Sequence, residues 1–506
     1  MLMSGVQVFW SVRYQVPIDE HRKDCNIMDF QAVIGIEVHA QLNTKSKFFC
    51  GCSTQFAAEP NTNVCPVCLG FPGSLPVLNK KAIDYTIKTC LALDCEIPEQ
   101  SRFARKNYYY PDLPKAYQIS QYELPIGRNG RIEIEVNGRK KVIRIHRIHI
   151  EEDAGKLVHE AGGGSFVDYN RGGTPLMEIV SEADISSSEE AVAYLTNLRS
   201  ILQYIGVCEG NMEKGEMRCE PNISVMPVGS DTWGTKAELK NLNSFKAVSR
   251  GIDYEISRQI ELIEDGGAVV QETRRWDDAT QTTQTMRIKE QENDYRYFPD
   301  PDLVPVEIDE KWLDELRASI TELPAHRKKR FIEELELPEY DAGVLTGAKE
   351  LADYFEAVLS EFNDPKQVSN WIMTELMGQL NEKSLAIGEC KITAVDFAEL
   401  LELIKKGTIN ARIGKDIFKE MFETGKSAKS IIEEKDLVQV SDEGELEGII
   451  EDVISANEGP VEDFRNGKGK AIGFLVGQVM KKTGGKANPQ VVNRILKQKI
   501  EMNREV

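Results

Sequence analysis

Three short runs in the first 180 residues read as β-strands with chemistry on one face. They are Ile34-Gly35-Ile36-Glu37-Val38-His39-Ala40-Gln41, His149-Ile150-Glu151-Glu152-Asp153-Ala154-Gly155-Lys156 and Pro175-Leu176-Met177-Glu178-Ile179-Val180. Side chains alternate across a strand, so Glu37 and His39 share one face while Ile36, Val38 and Ala40 share the other. Glu178 points the same way as Leu176 and Val180. A carboxylate set among apolar neighbours must be paired, hydrogen-bonded or bound to a cation. Runs at 131–136 and 142–150 flank Asn137-Gly138, a type I′ hairpin signal. The alternation slips between Ile145 and Ile148, which predicts a bulge there.

Helical spacing appears in two places in this region. Ser186-Ser187-Ser188-Glu189 reads as a capping box before an amphipathic run to Ile205-Gly206. Asn243-Ser244 opens a second run that ends at Gly266-Gly267. After Pro305 the period changes: Asp309 to Leu323, His326 to Leu335, Ala348 to Phe362 and Pro365 to Leu380 all place apolar residues at i, i+3, i+4. The expected fold class is α+β. A β-rich domain with a mainly antiparallel sheet spans 29–320, an all-helical domain 321–437 and a small helical tail domain 438–506. Residues 1–28 read as a poorly ordered extension, with Met28 an alternative start.

The 506 residues, 41% hydrophobic and 28% charged, describe an ordinary soluble globular protein. No apolar run is long enough for a transmembrane helix, and Asp19, Glu20 and Asp24 in the N-terminal extension argue against a transit peptide. The expected compartment is the cytoplasm. Net charge is −20, unevenly spread: from Val461 onward ten Lys/Arg face four Asp/Glu. A basic tail on an acidic body suggests local contact with a polyanion, against the blander reading of a solvated helix.

Carboxylates and one imidazole supplied by separate strands read as a hard divalent-cation site, better for Mg²⁺ or Mn²⁺ than for Zn²⁺. The alternative is a surface network paired with Arg144, Arg147 or Lys156. Spacing does not decide between Glu151 and Glu152, because adjacent strand residues face opposite ways. Cys50-Gly51-Cys52 and Cys65-Pro66-Val67-Cys68 form a C-x-C…C-x-x-C set, which suits a closed, structural Zn²⁺ site; reduced thiols without metal are the alternative. The other cysteines show no ligand spacing and read as small buried apolar residues. Gly425-Lys426-Ser427 fails as a P-loop, since Glu420 stands where a glycine is needed and no strand precedes it. Basic and aromatic residues interleave from Arg102 through Tyr108-Tyr109-Tyr110 to Asp112. That mix suits a nucleotide base or an RNA end, although the run by itself reads better as an aromatic-lined core strand with a charged turn.

The strings Ile34 to His39, Arg105 to Asp112, Lys115 to Gln121, His149 to Lys156, Asp168 to Leu176, Lys236 to Phe245 and Asp294 to Pro299 resemble the B subunit of the glutamine-dependent aspartyl/glutamyl-tRNA amidotransferases. The resemblance runs from about Phe30 to the C-terminus; the extension before Met28 departs from it. It implies a heterotrimer with a glutaminase A subunit and a small C subunit, acting on a misacylated tRNA. It implies ATP- and Mg-dependent phosphorylation of the side-chain carboxylate of Glu-tRNA(Gln) or Asp-tRNA(Asn), followed by amidation with ammonia. The implied Mg ligands map onto His39, Glu152 and Glu178, with Glu37 beside them and Glu151 a weaker match. The implied structural zinc maps onto Cys50, Cys52, Cys65 and Cys68. Nucleotide or tRNA contacts are expected from Arg105, Lys106, Tyr108, Arg171, Lys236 and Lys240, and in the tail from Lys468, Lys470, Lys481, Lys482, Lys486 and Arg494.

Overall fold

The Ile34–Gln41 run extends backward to form β1 (Phe30–Gln41), whose alternation is regular from Ile34 onward. Its even-numbered residues Ile34, Ile36, Val38 and Ala40 are at most 1% exposed, while Glu37 and His39 stay half-buried on the other face. Each fully buried aliphatic side chain of this kind contributes roughly 1.5–3 kcal/mol, which fixes the strand's register against a one-residue slip.

The structure is a computed structural model that describes residues 29–159, 163–288, 295–435, 437, 443–483, 487 and 489–502. The expected extension at 1–28 and Lys486 lie outside the described residues. In chain order the strands after β1 are β2 (Gln100–Ser101), β3 (Ala104–Lys106), β4 (Gln118–Ser120), β5 (Gly127–Val136), β6 (Arg139–Glu152), β7 (Lys156–His159), β8 (Ser165–Asp168), β9 (Pro175–Ser181), β10 (Met217–Pro227), β11 (Ala237–Lys240), β12 (Glu272–Asp277) and β13 (Thr282–Ile288), followed by the short β14 (Phe298–Pro299) and β15 (Val306–Glu307). One eight-stranded sheet runs in the order β13-β12-β11-β10-β1-β9-β6-β5. All its pairings are antiparallel except β11 with β12. The α+β expectation holds.

Local signals explain most of this. Asn137 and Gly138 adopt φ of 52° and 73° in the β5–β6 hairpin, as a type I′ turn requires. The register shift predicted in β6 lies between Ile145 and Arg147. Helices α1 (Lys80–Ala92), α2 (Ser188–Tyr204) and α3 (Phe245–Glu264) lie along the first unit's apolar core, with α1 and α2 against β5 and α3 against β10. Ser187, one residue later than expected, caps α2 by accepting from Glu190 N, while Glu190 Oε2 accepts from Ser186 N at 2.8 Å. Ser244 caps α3 in the same way through Ala247 N.

The first compact unit ends at Pro324 and the second begins at Ala325. The second is helical throughout its regular structure and holds two separate cores. One is built around Phe331, Phe355, Phe397 and Phe418, the other around Leu446, Ile450, Leu475 and Leu496. The helix expected from Pro365 runs through a π-helical turn at Ile372–Leu376. Gly425, at φ 75°, ends the helix Ala411–Thr424 as a left-handed cap, which accounts for the false P-loop.

Two glycines of β5 admit the end of α1. A Cβ on Gly127 would fall onto Cys90 Sγ. One on Gly130 would fall onto Cys95 Sγ and lie 2.9 Å from Leu93 O. We expect Gly130→Ala to cost about 1–3 kcal/mol by overpacking, read as a lower urea midpoint with an unchanged m-value.

Candidate metal centre

The second face of the sheet is polar. His39 on β1 lies directly opposite Glu178 on β9 and Arg218 on β10, and Glu178 lies opposite His149 on β6. His39 Nε2 is 3.4 Å from Glu178 Oε2 and 3.8 Å from Glu151 Oε1. His149 Nε2 approaches the same two carboxylates at 3.2 and 3.9 Å. One donor atom each from His39, Glu151 and Glu178 fall within 4.8 Å of one another. Leu176 and Val180, the neighbours that made Glu178 look misplaced, line this polar face, while Met177 and Ile179 are fully buried in the core.

Charge compensation holds the cluster together. Burial disfavours the charged His39 ring, but the hydrogen bond and charge of Glu178, with Glu220 and Glu151 behind, lift it to about 9. Burial pushes the Glu178 carboxyl up; His149 and His39 outweigh it and hold it well below the usual range. The Lys106 ammonium, 5.7 and 4.8 Å from the ring centres of Tyr108 and Tyr295, is raised against its burial by Glu151 and Glu178. Two carboxylates with imidazole nitrogens form a donor set that fits Mg²⁺ or Mn²⁺. His149 Nδ1 is buried with no hydrogen-bond partner among the described residues, so the ring holds its place at the cost of an unsatisfied polar atom.

Two of the expected residues stand apart from this cluster. Glu152, expected as the ligand in preference to Glu151, turns away from the cluster. It binds Lys115 Nζ at 2.7 Å and accepts from Ile119 N at 2.8 Å, and burial raises its carboxyl above the usual range despite Lys115. Glu151 enters instead because it shares a face with His149, two residues away. The bulge lies upstream of both, so the pleat between them is regular. Glu37 does not join His39 either: it faces Glu220 on β10 and Glu238 on β11. His149, within a quoted motif yet unassigned, is the residue that sequence reasoning missed. Its i, i+2 relation to Glu151 is the signal that would have found it.

The four cysteines do converge. Single sulfur atoms of Cys50, Cys52, Cys65 and Cys68 all lie within 4.8 Å of one another, making a possible zinc site. Cys68 Sγ accepts from Cys65 N at 3.1 Å and lies 3.8 Å from Lys47 Nζ. A hydrogen bond from Cys50 is the main cause lowering the Cys68 thiol to about 4. Lys47 is fully buried and also donates to Tyr169 O at 3.1 Å. Cys90, Cys208 and Cys219 are buried, as expected of small apolar residues.

The residues expected to meet nucleotide or RNA divide into two groups. Arg105 is bound to Asp300 and Asp302 at 3.1 and 2.6 Å. Arg171 donates to Ala154 O and Gly155 O. Tyr108 reaches Gln118 at 3.4 Å. Lys240 Nζ sits 2.6 Å from Glu220, so it serves the polar face of the sheet. Lys236, Lys470, Lys481 and Arg494 are exposed, and Lys468 and Lys482 make exposed ion pairs with Asp463 and Asp452. In the aromatic strip, Tyr109 and Tyr110 are exposed while Phe103 is buried, so both readings of that strip apply to different residues. Among the described residues no helix is long and apolar enough to cross a membrane.

Comparison with known proteins agrees with this arrangement. Residues 32–314 match the family described as the GatB/GatE catalytic domain, and residues 353–500 match the GatB domain. The chain is similar to the B subunit of the aspartyl/glutamyl-tRNA(Asn/Gln) amidotransferase of Thermodesulfovibrio yellowstonii, with 57% identity over 93% of this chain and 99% of that one. It is 55% identical to the protein of the same name from Carboxydothermus hydrogenoformans, over 93% of this chain and 99% of the relative. With that of Geotalea daltonii it shares 56% identity over 94% of this chain and the whole of the relative. Carboxylates and imidazoles meeting across three strands of the matched catalytic domain, with full-length likeness on both sides, place the chain in the family of B subunits of the aspartyl/glutamyl-tRNA(Asn/Gln) amidotransferases.

Proposed function

We propose that the polar face of the first unit uses ATP to activate the side-chain carboxylate of Glu-tRNA(Gln), Asp-tRNA(Asn) or both. The observation that carries this reading is the convergence of His39, His149, Glu151 and Glu178 on one buried point beside Lys106. A carboxylate is a poor acyl donor. In the proposed reaction its oxygen attacks the γ-phosphorus, ADP leaves, and an acyl phosphate forms; ammonia then attacks the carbonyl carbon and phosphate departs. His39, Glu151 and Glu178 would hold Mg²⁺, oriented by His149. When bound, that ion offsets charge on phosphate oxygens. Lys106 adds fixed positive charge beside the same carboxylates, where low dielectric makes it count for more than in water.

The family name implies a multi-subunit enzyme, and we assign the ammonia to a glutaminase A subunit working with a small C subunit in the cytoplasm. The three-part division 29–320, 321–437 and 438–506 gives each task a place. The basic last segment, with Lys470, Lys481 and Arg494 exposed, would bind tRNA phosphates without reading sequence. The four-thiolate knuckle would hold zinc as a brace.

Three outcomes test this reading. Glu151→Gln in the assembled complex should abolish transamidation and the labelled acyl-phosphate intermediate while sparing glutaminase activity. Glu152→Gln should retain a measurable rate; equal loss in both variants would remove the basis for choosing Glu151. Metal analysis should return about one zinc per chain, and Cys65→Ser should lose it together with protease resistance of the 47–79 segment. Deleting the chain from about 438 should raise KM for tRNA at least tenfold with a smaller change in kcat, and an unchanged KM would refute docking through the tail.

A further inference from the structure

Helix α1 ends with two thiols side by side, outside the four-cysteine knuckle and unused by the proposed reaction. Its backbone closes as a Schellman cap. Cys95 N donates to Cys90 O at 2.8 Å and Asp94 N to Leu91 O at 3.3 Å, with Asp94 left-handed at φ 55°. Such a cap turns the side chains of its first and sixth residues toward each other. That contact is ordinarily apolar; here both residues are cysteines. Their Cβ atoms lie 3.2 and 3.3 Å from the position a Cβ on Gly127 would take, so they flank one point. The two thiols share a hydrogen bond. Standard bond lengths on either side of the 2.8 Å backbone bond keep the two Cα atoms within roughly 6.7 Å of each other. Disulfides span about 4.4–6.8 Å between Cα atoms.

The surrounding backbone holds the pair in place. Glu96 N donates to Arg128 O and Arg128 N to Glu96 O, at 2.8 and 3.0 Å, and Arg131 N donates to Leu93 O at 2.8 Å. Gly127 and Gly130, whose Cβ atoms would fall on the two sulfurs, leave them their space. Access differs between the two. Cys90 is fully buried, whereas Cys95 is partly exposed. Burial holds the Cys90 thiol protonated, well above the usual thiol range, and a sulfur without thiolate character is a poor first nucleophile. Cys95 is therefore the sulfur that a small oxidant meets first, with Cys90 waiting behind it.

We propose that Cys90 and Cys95 form a reversible redox-modification site, oxidised by a peroxide to an internal disulfide that closes the end of α1. The Cys95 sulfur attacks one peroxide oxygen, the O–O bond breaks, and the other oxygen leaves as water with the thiol proton. Cys95 is then a sulfenic acid. The Cys90 sulfur attacks the Cys95 sulfur, the S–O bond breaks, and the departing hydroxide takes the Cys90 proton as a second water. Two thiols have lost two electrons and two protons, and one hydrogen peroxide has become two waters. A resolving thiol already in place stops Cys95 short of the irreversible sulfinic acid, and a dithiol reductant reverses the bridge.

The test reads one peptide and no activity, so it stands apart from the proposed reaction. Cleavage after Lys88 and Arg102 releases Thr89–Arg102, which holds Cys90 and Cys95 and no other cysteine. The assembled complex is treated with hydrogen peroxide, unfolded, alkylated, digested with trypsin and analysed by mass spectrometry. In wild type this peptide should lose two hydrogens and take no alkyl group, and dithiothreitol before alkylation should restore both alkyl groups. Cys95→Ser should leave Cys90 reduced and alkylated. Cys90→Ala should let Cys95 proceed to sulfinic acid, roughly tenfold above wild type. Wild type decides even where a variant fails to fold. Two alkylated cysteines at a peroxide dose that oxidises the free peptide, a sulfinic Cys95 beside a reduced Cys90, or a bridge from either to another cysteine overturns the proposal.

Discussion

Everything on the polar face depends on the pleat of β1. The strand lies in the middle of the sheet, with β10 on one side and β9 on the other. Its even-numbered side chains are locked into the core, so its odd-numbered ones have no choice of direction. Glu37 and His39 must therefore stand side by side on the opposite face, and the paired strands must bring groups that tolerate them. A one-residue slip would bury a carboxylate among Ile, Val and Leu at a cost far above the few kcal/mol separating paired registers. The apolar face thus specifies the geometry of the charged one.

That geometry collects like charges, and magnitudes show why it is populated by imidazole and amine. Two unit charges 4 Å apart interact by about 4 kcal/mol at an effective dielectric constant of 20. The Glu178 carboxyl is held well below its usual range, against its burial, by His149 and His39, and Glu178 and Glu151 in turn raise His39 and Lys106. The same rule explains Asp153, held ionised against its burial by Arg218 and Arg171 and hydrogen-bonded by Gln41. It also explains Glu152, whose Lys115 partner lies on the segment leading to β4.

What could be read from the sequence was local. Period-two alternation located β1, Asn137-Gly138 located the hairpin, serines located the starts of α2 and α3, and the broken alternation located the bulge. Cysteine spacing alone picked out the four thiols that meet. What could not be read was non-local. The pairing of Glu37 with Glu220 joins residues far apart in sequence, and no pattern within either strand encodes it. The choice between Glu151 and Glu152 stayed open in the sequence for a different reason. The pleat says only that they face oppositely; a reference residue of known side was needed, and His149 was that residue. Nor does a motif say that Lys240 will lie 2.6 Å from Glu220.

The cysteine knuckle, distant from the acidic face in chemistry, bears on it through the backbone. Lys47, buried beside Cys68, donates to Tyr169 O, and Phe48 N donates to Gly173 O at 2.7 Å. Asn63 N donates to Asn170 Oδ1 at 2.7 Å. All three bonds end in the loop that immediately precedes β9, the strand that delivers Glu178. Gly173, at φ 82°, lies against Phe49 and the Lys47 stem, so the loop is clamped by packing as well as by hydrogen bonds. Fixing the knuckle therefore fixes where β9 begins, and a strand whose start is fixed has its pleat fixed. A small cysteine loop can in this way set the position of the carboxylate that β9 carries.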